Sequence, residues 1–434
     1  MKKLLALLLA LLMLLSLAGC GKQAQEDEEP AVIELTLWTF PAGDWGDPAA
    51  VETLLTQFNS VYPDIHVTVQ CLDEATGDDK LSTAVDGGVS PDILLDRLIK
   101  AWGAEGMLAD LSDMWDDADK QEVNAACQSV CFTRDGKCYA YPFAMNVQCM
   151  AINYDAFVTA GADQYIDLET RTWTTEQFTQ AVKALQSKYG ETVAAVYCSG
   201  QNGDQGTRAL VTNLYGGQFA NDSYTGYVAN SEANQQALTL LRDTKGIEFD
   251  DAINGQEEAA LFYHESLKMS FCWSLAETVD EPTEEGGEPV VHPAGKTVNG
   301  QTIEFMAFPT DPEISQPRLQ GDIWGFGVFD NGDQERIEAA KLLIRFFADG
   351  KAAGCFPVRD TVDGADLRNI WAGSDVMTEY AKLTDFLSGY DALTPGWATA
   401  RTEWWNMLQR VGNGGDVVLE TDTLVENANA AAKE

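Results

Sequence analysis

The chain has 434 residues, with 68 acidic and 28 basic side chains and a formal net charge of -40. Such an acid excess repels nucleic acid and anionic lipid, which sets both aside as partners of the folded surface. Apolar residues at 45% and aromatics at 10% are ample for a core, and the length suggests two domains rather than one.

At the amino terminus, Lys2 and Lys3 precede an apolar run from Leu4 to Leu17. The run is too short for a comfortable membrane span and fits the apolar part of a signal peptide. It narrows to Leu17-Ala18-Gly19-Cys20. This order matches a lipobox, where small residues admit a peptidase and the cysteine thiol then carries diacylglycerol. An ordinary secretory signal with an incidental cysteine is the alternative. Loss of residues 1–19 would take the net charge to -42. Gly21 to Pro30 is polar and charged, which suits a disordered tether. The expectation is a folded body that starts near Val32 and is held by lipid on Cys20 outside the bacterial cytoplasmic membrane.

Ile33, Leu35 and Leu37 alternate with Glu34, Thr36 and Trp38, a strand pattern. Asp47-Pro48 reads as a helix cap and first residue, and Val51, Leu54, Leu55 and Phe58 follow at helical spacing. Tyr62-Pro63-Asp64 ends that helix, and Ile65, Val67 and Val69 make a second strand. Residues 91–96, PDILLD, read as a short buried strand. Strand, helix, strand in this order gives an α/β domain with at least partly parallel strands. The texture recurs: a helix over 173–188, strands at 193–199, 267–273 and 325–329, and a helix over 337–347. Residues 281–301 read as a long polar loop or hairpin.

Eight cysteines follow Cys20, at 71, 127, 131, 138, 149, 198, 272 and 355. Their scatter shows no zinc spacing, and several sit in apolar runs, which suits buried reduced thiols although pairing cannot be read from sequence. No Gly-x-Ser-x-Gly and no His-Glu-x-x-His occurs, and His66, His264 and His292 are isolated. Residues 294–297, AGKT, lack the first glycine of a phosphate loop, since position 290 is Val290. Residues 412–415, GNGG, lack the third glycine of a dinucleotide fingerprint. No catalytic residue, metal ligand or cofactor is assigned.

Taken in order, several segments resemble the family 1 extracellular solute-binding proteins, the maltose-binding-protein-like receptors of ABC importers. These are IELTLWTF (33–40), LLTQFNSVYPDIHVTV (54–69), SPDILLD (90–96) and AEGMLADLSD (104–113). The most specific is DGKCYAYPFAMNVQCMAINYDAF (135–157), with its Asp-Gly-Lys-x-Tyr-x-x-Pro run. TWTTEQF (172–178), IWGFGVF (323–329), EAAKLLIRFFAD (338–349) and FPVR (356–359) complete the series. The resemblance implies a two-lobed α/β fold of the periplasmic-binding-protein type (class II), hinged between lobes. Lobe 1 would hold residues 31–146 and 313–351, and lobe 2 residues 147–312 and 352–434. It also implies a monomer that captures a carbohydrate and delivers it to ABC transporter permease subunits, without turnover.

Ligands of open α/β sheets sit beyond the carboxyl ends of the strands. That rule points to Asp44 and Trp45 after the first strand. A sugar offers an apolar C–H face and a rim of hydroxyls, which an indole beside a carboxylate can match. Local packing of Trp45 is the equal alternative, and Asp47 is the helix cap. Asp96 and Arg97 follow the third strand and face either the cleft or each other. Asn146 stands at the first crossover, as a hydroxyl ligand or a hinge residue. The resemblance adds Trp273, although Cys272 replaces the family's usual glycine, and Trp397 on the second lobe. Asp322 and Trp324 flank the start of a strand beside a crossover. Arg401, one helical turn past Trp397, is as readily a surface charge. Trp102, Trp115, Trp173, Trp371, Trp404 and Trp405 are assigned to packing.

Two readings stay open beside the sugar receptor. One is a receptor for a polyamine, peptide or organic phosphate, although the sequence shows no arginine cluster for phosphate. The other is a surface protein that is not a transport receptor, either a glycoside hydrolase with two carboxylates or a sugar-binding module that is an adhesin or a sensor partner.

Overall fold

A computed structural model describes residues 32–433, apart from 74–75, 98–101, 104–105, 124–126, 129–130, 134–135, 191, 201–202, 281–289, 311–312, 314, 350–357 and 359–374, and 389–393. The signal segment, Cys20, the tether, Cys355, Trp371 and most of FPVR therefore lie outside the described residues.

The strands are β1 (Ile33–Thr39), β2 (Ile65–Cys71), β3 (Ile93–Asp96), β4 (Tyr141–Val147), β5 (Cys149–Asn153) and β6 (Ala194–Tyr197). After them come β7 (Ile247–Asp250), β8 (Met269–Trp273), β9 (Val279–Asp280), β10 (Val290–Val291), β11 (Ile303–Met306) and β12 (Gly321–Val328). The first sheet has the order β2-β1-β3-β12-β4. β1 pairs in parallel with β2 and β3, whereas β12 returns from the far end of the chain and runs antiparallel between β3 and β4. The helix Pro48–Asn59 links β1 to β2, capped by Asp47, whose carboxylate accepts from the Ala49 N–H. Its apolar stripe of Val51, Leu54, Leu55 and Phe58 is buried, as the spacing requires.

β5 begins one residue after β4 yet belongs to a second sheet, β11-β5-β8, with both neighbours antiparallel. The β6-β7 pair adjoins it through the Lys268 N–H to Val193 C=O bond of 2.7 Å. Helix Thr175–Tyr189 opens with a full capping box between Thr174 and Gln177. β9 and β10 pair antiparallel, so part of the expected 281–301 loop, Val290–Val291, is a short strand. AGKT forms a turn in which the Lys296 ammonium bonds the Thr302 hydroxyl, and GNGG joins two antiparallel helices at the carboxyl end; neither is a nucleotide loop.

The two sheets meet where several segments cross. The Gln148 N–H donates to the Gln320 C=O, so the β4–β5 crossing lies beside the one that enters β12. Tyr380, on the helix Asp375–Ala381, donates to and accepts from the Val147 backbone. Six of the seven described cysteines are buried. Among the described residues no helix is long and apolar enough to cross a membrane.

Candidate functional site

β3 ends at Asp96, and antiparallel β12 passes that point at Gly325. Trp324, Ile323 and Asp322 therefore project past the carboxyl end of β3, next to the end of β4. At this edge the Arg97 guanidinium lies 4.9 Å from the Trp324 ring centre, a cation–π pair. Trp324 is half-buried over a small cluster of Phe40, Leu72, Leu81, Leu94, Leu108 and Phe329, together with Trp38. Trp38 was not singled out from the sequence. Its alternation with the inward Leu35 and Leu37 was the available sign that it faces the other side of the sheet. Asp96 is buried, and its carboxylate accepts from the Arg97 N–H, so it shapes the turn that carries Arg97.

Asn146 and Asp322 are cross-strand partners at the crossing. The Asn146 side-chain oxygen accepts from the Leu275 N–H at 3.2 Å and from the Tyr380 hydroxyl at 3.1 Å. It thus ties the end of β4 to the segment after β8. Burial above all pushes the Tyr380 phenol well above its usual range, and Cys149 and Asp322 add to the effect. Tyr380 therefore stays a neutral donor between the lobes.

In the second lobe the helix Asp204–Leu214 starts behind Gly203, which is at φ 74°. A side chain at Gly203 would strike the Cys272 sulfur, which fixes this helix start against the end of β8. Asp204 is 2% exposed and Arg208 1%. They form an ion pair one turn apart, and the Arg401 guanidinium reaches the same carboxylate at 2.7 and 3.1 Å. Trp397 opens the helix Trp397–Gly412 and is half-buried, with the Arg208 and Arg401 guanidinium carbons 4.7 and 5.8 Å from its ring centre. Arg401 is thus part of this wall rather than a loose surface charge. Asp204 and Arg208 were missed in the sequence, where their spacing of four on a helix was the only sign.

The structure takes two expected residues away from the site. Trp45 is 0% exposed, enclosed edge-on by Phe143, Phe326 and Phe347 with ring centres 6.4, 5.6 and 4.9 Å away. Trp273 is also 0% exposed; its indole N–H donates to the Tyr263 hydroxyl at 3.0 Å and its ring packs on Phe305 and Tyr380. A ring enclosed on all sides offers no face to a solute, so both are corrected to core residues. Asp44 is half-buried in the one-turn segment Gly43–Gly46 that delivers Trp45 to the core, and its carbonyl accepts from the Asp47 N–H. Asp96 is corrected to a buried turn residue. Trp324, Asp322 and Asn146 lie together along one edge, and Trp397 stands against Arg208 and Phe219.

No group of acids, histidines and cysteines able to hold a metal occurs among the described residues. The buried acid Asp204 is paired with Arg208 and Arg401.

Among solved structures, the fold is similar to a cyclic α-maltosyl-1,6-maltose binding protein from Arthrobacter globiformis, at TM-score 0.71 and 19% identity, covering 93% of this chain and 100% of that one. It is similar to the sugar-binding protein MalE from Xanthomonas citri, at TM-score 0.69 and 14% identity, covering 92% and 97%. An ABC substrate-binding protein from Listeria monocytogenes in complex with cycloalternan gives 0.60 and 19%, covering 92% and 98%. These are likenesses of fold, and the fold is the two-lobed one of periplasmic binding proteins. Among curated proteins nothing matches the sequence significantly. A family model decides the assignment: residues 42–353 match it, and the chain belongs to the bacterial extracellular solute-binding proteins.

Proposed function

We propose that this protein captures a carbohydrate outside the cell and presents it to the permease of an ABC importer, as a monomer that leaves the ligand unchanged. The observation that carries the reading is a pair of half-buried indoles, Trp324 on β12 beside the carboxyl end of β3 and Trp397 at the start of the helix Trp397–Gly412, each beside guanidinium groups. An indole face suits the C–H face of a pyranose, and arginines, amides and carboxylates suit its hydroxyls. Saccharides in the names of the similar solved structures support the same class. The lobes would be residues 31–146 with 313–351, and 147–312 with 352–434.

The reading includes a lipid anchor on Cys20, which would hold the receptor near its permease and raise the local concentration of loaded protein. Its support is the basic start, apolar run and lipobox in order. Cys20→Ala should move the protein from the membrane fraction into the medium; retention equal to wild type would refute the anchor. The binding claim is tested by a melting-temperature panel with mono- and oligosaccharides, and with polyamines and peptides as controls. A ligand that binds only the folded state raises the melting temperature. A rise with one saccharide class, recovered intact, is the expected result. A rise only with a control class would overturn the carbohydrate assignment, and release of reducing sugar would identify an enzyme.

A further inference from the structure

Beside the crossing segments, on the lobe-2 side, is a recess of about 130 Å³. It is lined from three directions. Gln218, Phe219 and Tyr224 come from the loop after the helix Asp204–Leu214, Arg318 and Gln320 from the segment entering β12, and Ser388 from the segment after the helix Asp375–Ala381. The volume is about ten times the roughly 10–15 Å³ that one water needs. It is well below the ~300–1,000 Å³ of a complete ligand pocket. It has room for one ring and its hydroxyls.

Two observations say that something polar belongs there. Arg318 is half-buried in a chain with 68 acids, yet among the described residues its guanidinium has no hydrogen-bond or ion-pair partner. The Gln320 amide and Ser388 hydroxyl have none either, so donors and acceptors converge on one space with their capacity open. Structural arginines elsewhere in the chain are engaged, as Arg171 is by Glu304 and Glu379. An unmet donor that is partly desolvated is costly unless a ligand or water meets it. Thr212, Asn221 and the aromatics Phe219 and Tyr224 complete much of the wall. Phe219 lines the recess, and its ring meets Trp397 at 6.1 Å, so the recess continues the Trp397 wall around one phenyl ring.

We infer that this recess is a subsite for one further unit of a saccharide, with Arg318, Gln320 and Ser388 bonding its hydroxyls and the half-buried Tyr224 flanking its ring. This deepens the carbohydrate reading and rests on it: the ligand is an oligosaccharide rather than a single sugar. An uncharged ring is favoured over an anion because Asp222, on the rim, would repel an anion while its carboxylate accepts from the Gln218 amide at 2.6 Å.

The test is a calorimetric titration of the full chain with size ladders of gluco-, manno-, xylo- and chito-oligosaccharides, each from the monosaccharide upward. Wild type should bind longer members of one ladder more tightly than its monosaccharide. Arg318→Ala and, separately, Ser388→Ala should remove about tenfold of that gain while monosaccharide affinity and melting temperature stay unchanged. Arg318→Lys, which keeps the charge and loses the planar fork, should fall between. Equal loss for every member, or no loss in either variant, would overturn the subsite. A wild type that binds monosaccharide with no gain from length would overturn it while leaving the carbohydrate reading intact. A wild type that binds no member of any ladder would overturn both.

Discussion

Trp45 and Trp397 looked alike in the sequence, as tryptophans beside glycine and away from any helical stripe. Burial separates them. Trp45 has Gly43, Asp44 and Gly46 around it, which reads as an exposed loop, but its ring partners come from β4, β12 and the helix Gln334–Ala348. Contacts between segments so distant in sequence leave no local signal. Trp45→Ala should therefore cost about 3–5 kcal/mol of stability, the range for truncating a buried aromatic. Chemical denaturation reads this directly. A loss under 1 kcal/mol would contradict the core assignment. Asp47 was legible for the opposite reason, since a cap acts within its own turn.

Strands and helices were the most readable features, because each shows its buried face as a period. Leu35 and Leu37 and the stripe Val51 to Phe58 fold as their spacing requires. The pairing of β12 between β3 and β4 was not readable, as no local pattern names a partner so far away. Another hidden feature joins the helix Gly255–Tyr263 to β8. Glu258 is fully buried, and accepts from the Ser270 hydroxyl and the Phe271 N–H. Burial, opposed by these bonds and reinforced by Glu277, pushes its pKa up to about 8. In the unfolded chain a glutamate titrates near ~4.3. Between these values the unfolded state loses a proton that the folded state keeps, so this group lowers stability as pH rises through that window. The contribution is fully favourable below the lower value and is lost by the upper one. Glu258→Gln should flatten the fall in stability between about pH 4.3 and pH 8. Denaturation midpoints across that range check it, and an unchanged slope would contradict the buried-acid account.

The molecule as a whole carries a net charge of -40, yet the walls of its candidate cleft hold Arg97, Arg208 and Arg401 against indole rings. Charge over the whole surface thus says little about the pocket. Asn146, Tyr380 and Gln148 tie the crossing segments together through hydrogen bonds, and in the proposed receptor these crossings would be the hinge. The two-lobed fold was legible from the order of weak segments along the chain; of the candidate site, Trp324 and Trp397 were named from the sequence, whereas Trp38, Asp204 and Arg208 were not. Sequence order fixes which strands exist, but which ring remains open depends on how both lobes pack. The most direct measurement is a calorimetric titration of wild type and Trp397→Ala with the saccharide class that stabilises the protein. Saturable binding of intact sugar by wild type, weakened at least tenfold in the variant without loss of melting temperature, is the predicted result. Equal affinity in both proteins would contradict this cleft, and turnover of the sugar would contradict a binding protein.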